Sequence, residues 1–120
     1  MMTPKEIADI IVSTLDGKKA DDIKLLRTSD VTVLADYFVI CTANSTTQIK
    51  TMADEVEAVL EAKGENPLHR EGYRSGGWVL IDFGCVVVHI FMEEARQFYN
   101  LERLWSNAEE IDISSLVLPN

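Results

Sequence analysis

Near the start of the chain apolar residues recur every three or four positions, at Ile7, Ile10, Ile11 and Leu15, the period of a helix with one buried face. Thr3 before Pro4, with Glu6 three residues on, supplies an N-cap, a first-turn proline and a capping box, and Gly17 a stop. A second helical stripe joins Ile49, Met52, Ala53, Val56, Val59 and Leu60, with Asp54, Glu55, Glu57 and Glu61 largely off it. Ser45-Thr46-Thr47-Gln48 opens this helix as a capping box of the glutamine type, and Gly64 ends it. A third helix is expected from Glu93 to about Trp105, acidic in its first turn and with Arg103 near its end.

Between these stripes the period falls to two. Strands are predicted at Asp22–Arg27, at Asp36–Thr42, at roughly Leu68–Glu71, at Trp78–Asp82 and at Cys85–Phe91, with a turn-rich stretch over Gly72–Gly77. The order helix, strand, strand, helix, three strands, helix implies antiparallel neighbours, plus one parallel pairing bridged by the second helix. The fold class is α/β (α+β): a mixed sheet with helices packed on it. Residues 1–106 form one domain. Residues 107–120 are a C-terminal tail, expected to be loosely packed.

Alternation sorts the last two strands into faces. With Phe83-Gly84 as a two-residue turn, Asp82 pairs with Cys85, Leu80 with Val87 and Trp78 with His89; a longer loop keeps the facing but shifts the pairs. One face carries Val79, Ile81, Val86, Val88 and Ile90, wholly aliphatic and therefore the core side. The other carries Trp78, Leu80, Asp82, Cys85, Val87, His89 and Phe91. A Trp beside a His, a carboxylate and further apolar groups suits the centre of an interface. It equally suits a face roofed by helices, with the Trp and His hydrogen-bonded inside.

Charge narrows the class of partner. Twenty acidic residues against 11 basic ones leave a net charge of −9. Extensive contact with a phosphate backbone needs the opposite balance, so a basic protein surface is the better fit. The start of the chain resembles neither a secretory nor an organellar address, and Cys41 and Cys85 form no spaced framework. A reduced, cytoplasmic protein is expected.

Chemistry finds little support. Cys85 and His89 lie four positions apart on one strand, about 13 Å at ~3.3 Å per residue. Asp82 is about as far from His89 by the same arithmetic. Proton transfer needs contact within roughly 3 Å. His69 lies on another segment, where solvation is its simplest role. The two histidines and two cysteines show no metal-ligand spacing. Arg74-Ser75-Gly76-Gly77 lacks the Gly-Lys-Ser/Thr ending of a P-loop and leads into a strand. No metal, no cofactor and no enzymatic activity are expected.

Longer motifs carry a resemblance. Asp36-Tyr37-Phe38-Val39-Ile40 followed by Ser45 and Gln48, then Glu71-Gly72 with Gly77-Trp78-Val79-Leu80-Ile81-Asp82-Phe83-Gly84, are similar to signatures of the ribosomal silencing factor family (RsfS, also called Iojap or YbeB). So is Val86-Val87-Val88-His89-Ile90-Phe91 with Arg96, Phe98-Tyr99, Leu101-Glu102 and Leu104-Trp105. The resemblance runs from about Ile7 to Trp105. It implies a nucleotidyltransferase-like sheet, frequent homodimers and a role in large-subunit assembly. It also implies docking on ribosomal protein fourteen of the large ribosomal subunit, where the bound protein blocks joining of the small subunit and represses translation when nutrients run short.

On that resemblance the partner-binding residues are Trp78, Leu80, Asp82, His89 and Tyr99. Trp78 and Leu80 anchor, Asp82 and neighbouring acids pair with Lys or Arg of the partner, and His89 supports Trp78. Two departures stand out: Cys85 where an Asp is usual, and Thr42-Ala43-Asn44 where a Ser-Gly pair is common. The alternative function is a nucleotidyltransferase-related enzyme that has kept nucleotide binding. Such an enzyme places carboxylates two apart on a strand to hold Mg²⁺. Here that spacing occurs only at Glu55/Glu57, on the second helix, and at Glu110/Asp112, in the tail. A generic dimerisation module is a third possibility.

Overall fold

Thr3 caps the first helix, α1 (Pro4–Gly17), as its sequence demands: its hydroxyl accepts from the Glu6 N–H at 3.2 Å, and the Glu6 carboxylate accepts from the Thr3 N–H at 2.9 Å. The computed structural model, which describes residues 2–72 and 77–118, continues with β1 (Asp21–Arg27), β2 (Tyr37–Ala43), α2 (Thr46–Glu61) and β3 (His69–Glu71). After these come β4 (Trp78–Asp82), β5 (Val86–Met92), α3 (Glu93–Tyr99), α4 (Leu101–Leu104) and β6 (Glu109–Ile111). Of the turn expected over Gly72–Gly77, residues 73–76 lie outside the described residues.

The strands form one sheet in the order β3-β4-β5-β2-β1-β6. Among the described residues only β2 and β5 pair in parallel, and the other neighbours are antiparallel. This is the mixed sheet with packed helices that the element order implied. The central strand β2 is buried along nearly its whole length, which explains its unbroken apolar run.

Helices α1 and α2 cover one face. Ile7, Ile11, Leu15, Ile49, Met52, Val56 and Leu60 meet Leu25, Val39, Val79, Ile81, Val86, Val88 and Ile90 there in the main core. The aliphatic side assigned to the last two strands is therefore the core side. A second, smaller cluster lies on the opposite face, where Leu26, Phe38, Ile40, Val87 and Phe91 are roofed by Ala95, Leu101, Trp105 and Ala108.

Several expectations need correcting. α1 does end at Gly17, but that residue is itself helical and the left-handed turn falls at Lys19, with φ +64°. The Gln48 side chain accepts from the Asn44 N–H at 2.6 Å instead of closing a box on Ser45, and donates to the Lys18 and Lys19 carbonyls at 3.2 and 3.3 Å. It thus ties the start of α2 to the end of α1.

The β4–β5 connection is longer than a two-residue turn: Phe83, Gly84 and Cys85 lie between the strands. Phe83 N–H donates to the Val86 carbonyl at 2.9 Å, and Gly84 adopts φ +88°. Trp78 consequently pairs with Phe91, Leu80 with His89 and Asp82 with Val87. Every pair has moved by two residues, which preserves the facing because the side-chain period is two.

The single helix expected over Glu93–Trp105 is broken. Asn100 sits in the left-handed region (φ +47°, ψ +55°), ending α3 and starting α4. The elbow brings Glu102 back onto the buried Arg96, whose Nε and Nη2 donate to the two carboxylate oxygens at 3.2 Å each. Arg96 Nη1 also donates to the Asp22 carbonyl at 2.8 Å and to Thr42 Oγ1 at 2.7 Å. Burial opposes ionisation of Glu102, but the Arg96 fork and Lys24 outweigh it and hold the carboxyl below its usual range.

The stretch after Asn107 is not loose. β6 pairs with β1, Ile113, Leu116 and Val117 pack on the main core, and the Leu118 N–H donates to Asp16 Oδ2 at 2.9 Å. The edge of β1 would otherwise expose unpaired backbone groups, and these residues cover it.

Candidate functional site

The second sheet face is neither open nor sealed. Trp105 meets Phe38 edge-on at 5.3 Å between ring centroids, and with α4 it roofs the middle of the face. Among the described residues the roof ends toward the β3 edge, leaving Trp78 and Leu80 half-buried. Strand β3 pairs with β4 only from Asp82 back to Leu80. Trp78 lies beyond that pairing, next to α3.

There the indole sits in an aromatic cluster. Phe91, its cross-strand partner, stacks on it at 5.1 Å, and the Tyr99 ring approaches at 4.6 Å with a 45° tilt. Its N–H donates to His89 Nδ1 at 3.2 Å. His89 is 4% exposed and also meets the Phe38 ring edge-on at 5.0 Å. Burial lowers its pKa from 6.5 to about 4, so the ring is neutral at neutral pH and Nδ1 is free to accept. With that tautomer, Nε2 carries the proton and has no hydrogen-bond partner among the described residues.

Trp78, Leu80, Ala95 and Tyr99 line a cleft of about 280 Å³, with Glu71 at its rim and Gly72 and Gly77 at its ends. The volume is near the bottom of the range for small-molecule sites, roughly 300–1,000 Å³. It suits one large side chain better than a cofactor. Gly72 is required here: it has φ +81°, and a Cβ at this position would overlap the Trp78 carbonyl.

The structure brings four of the five expected residues to this face as one group. Trp78, Leu80 and Tyr99 line the cleft. His89 is buried behind the indole and bonded to it, out of reach of the surface. Asp82 stands apart, at the far end of β4. One of its oxygens accepts from the Gly84 N–H at 2.7 Å, which braces the loop, and the other faces His69 Nδ1 at 3.6 Å. That separation exceeds a hydrogen bond.

His69 is thus the histidine that approaches Asp82, and His89 is not. Strand β3 is oriented by Arg70 on the opposite face, which pairs with Glu57 and, at 3.2 Å, with Asp54 of α2. This clamp puts His69 and Glu71 on the Trp78 side. Of the carboxylates at two-residue spacing on α2, Glu57 faces Arg70 and Glu55 faces Lys18 at 3.5 Å. Among the described residues no three His, Cys, Asp or Glu side chains converge as on a metal ion.

Phe98 and Leu104 belong to the third motif but are not among the expected partner-binding residues. They are 81% and 69% exposed, and with Tyr99 they border a shallow hollow beside the cleft. On one continuous helix their direction would differ. The signal available was Asn100, a residue type that tolerates the left-handed region.

Comparison with known proteins covers the whole chain. A family profile described as "Ribosomal silencing factor during starvation" matches residues 1–120. A protein of Halalkalibacterium halodurans named ribosomal silencing factor RsfS is 36% identical over 116 residues, which cover 97% of this chain and 99% of that protein. The crystal structure of a Chromobacterium violaceum protein superposes with a TM-score of 0.85 at 36% identity, covering 88% of each chain. A more distant mouse protein is named mitochondrial assembly of ribosomal large subunit protein 1. It is 31% identical over 101 residues, which cover 82% of this chain and 44% of that one.

Proposed function

Because this chain belongs to the ribosomal silencing factor family, we propose that it docks on the large ribosomal subunit through the Trp78 face, on ribosomal protein fourteen, and there excludes the small subunit. The observation that carries this reading is the unroofed edge of the second sheet face. A Trp held by His89 and flanked by Leu80 and Tyr99 stands half-buried, with part of its ring open to solvent, in a chain of net charge −9. Buried aromatic anchors ringed by polar groups dominate binding energy at protein interfaces. An acidic protein is attracted to basic surfaces over several ångströms before contact, and ribosomal proteins are generally basic.

The mechanism is steric. A domain with principal extents of 33 × 32 × 31 Å, once seated on the intersubunit face, fills space that an intersubunit bridge requires. Translation is repressed by occupancy, with no bond made or broken. The name of the mouse relative favours the large subunit over the small one. A homodimer, implied by the family resemblance, belongs to the same reading and is measured by light scattering.

The test is co-sedimentation with separated subunits, followed by reassociation monitored by light scattering. Retention by large subunits alone, with slowed joining, is the expected result. Retention by small subunits, or unchanged joining at saturating protein, would falsify the proposal.

A further inference from the structure

We infer that the Trp78–Tyr99 cleft receives a single arginine side chain of the partner, whose guanidinium pairs with Glu71 at the rim. This rests on the docking face proposed above and names what enters it. The cleft offers aromatic walls, an aliphatic floor from Leu80 and Ala95, and one carboxylate. An arginine matches that order from stem to tip. Its methylenes pack on the apolar floor, its planar head stacks against aromatic rings, and its fork engages a carboxylate through two parallel hydrogen bonds.

A purely aliphatic or aromatic guest fills the volume but takes water from the Glu71 carboxylate without replacing it. A lysine lacks the flat head that stacks and the fork that pairs.

Glu71 suits this role better than Asp82, the acid that the signature strand brought forward. The Glu71 side chain is 69% exposed and borders the cleft. Asp82 is 25% exposed, lies outside the lining, and already accepts from the Gly84 N–H. Among the described residues Glu71 has one neighbouring cation, His69 when protonated, with Nε2 at 3.8 Å. That separation is too long for a hydrogen bond from His69.

The cleft is also held open by its own packing. Phe91 supports one side of the indole and His89 takes its N–H, so Trp78 has little freedom to fold into the space.

The experiment uses three small probes on the full chain: N-acetyl-arginine methylamide, its neutral isostere N-acetyl-citrulline methylamide, and N-acetyl-norleucine methylamide. The readout is the indole N–H cross-peak of Trp78 in ¹H–¹⁵N spectra, with that of Trp105, which does not line the cleft, as internal control. The expected result is a saturable shift of Trp78 alone, with the arginine probe binding about tenfold more tightly than either neutral one. Glu71→Gln should bring the arginine and citrulline probes to within about twofold of each other.

Equal binding of the citrulline or norleucine probe overturns the assignment, as does an arginine probe that leaves Trp78 unmoved up to about 100 mM. Large-subunit binding by the Trp78→Ala protein separates this from the docking proposal. If that variant loses subunit binding while the probes bind equally, the face stands and its arginine guest falls. If it binds subunits normally, both fall.

Discussion

Trp78 donates its indole N–H to Nδ1 of His89 across 3.2 Å, from one strand to the next and two residue pairs out of line. The bond needs a neutral imidazole. Protonating Nδ1 would set two donors against each other inside an aromatic cluster, and burial already lowers the His89 pKa from 6.5 to about 4. A folded pKa below the unfolded one means that the unfolded chain binds the proton first. The stability is fully present above pH 6.5 and is lost as pH falls toward 4. The loss approaches about 3 kcal/mol, at ~1.4 kcal/mol per unit. Urea unfolding between pH 7 and 4 measures it, and His89→Gln, which keeps an acceptor, should flatten that part of the profile.

The anchor itself is tested by Trp78→Ala. Removing an interface hot spot costs about 2 kcal/mol or more, roughly 30-fold in affinity for the large subunit. Circular dichroism should stay native, because Trp78 is half-buried at the margin of the smaller cluster. A folded variant with wild-type sedimentation would place the site elsewhere.

Gly72→Ala should damage the same site from behind. The new methyl would overlap the Trp78 carbonyl, at a backbone φ of +81° that disfavours any side chain. Strain of this kind costs about 1–3 kcal/mol. The chemical-denaturation midpoint should fall, and the Trp78 indole resonance should shift more than that of Trp105.

Arg96 decides how α3 and α4 meet. Its side chain is buried and bonded to Asp22, Thr42 and Glu102, so Arg96→Ala should destabilise the fold by about 3 kcal/mol. Arg96→Lys should recover little of this, because an ammonium cannot reproduce the fork onto Glu102. Hydrogen exchange should report faster opening around Phe98–Leu104 in both variants.

The cysteines should react in a fixed order. Cys41 is buried in the core, where burial pushes its thiol up to about 12. Cys85 is also raised by burial, but it is partly exposed on the β4–β5 loop. At pH 8 a disulfide reagent should label Cys85 while Cys41 reacts at least ~100-fold more slowly, until denaturant exposes it. Equal rates under native conditions would contradict the packing of β2.

Local periodicity and capping were legible from the residues alone. Thr3-Pro4 and the Ile7–Leu15 stripe specify α1, and alternation across β4 and β5 specifies which side chains share a face. Each depends on neighbours a few positions apart. The pairing of Trp78 with Phe91 in place of His89 was not legible. It follows from the longer Phe83–Cys85 connection, and a register shift of two leaves the facing unchanged.

Burial on the second face lay further out of reach. Whether Trp78 is roofed depends on the break at Asn100, and the break is held by Arg96 reaching Asp22 and Thr42, which are 74 and 54 residues away. The tail behaved likewise. Glu109–Ile111 has little pattern of its own and becomes a strand because β1 offers an unpaired edge. Period, caps and side-chain chemistry are properties of a short segment, so they survive in the linear order of residues. Which half of a face stays open to a partner is a property of distant segments closing on one another, and it exists only once the chain has folded.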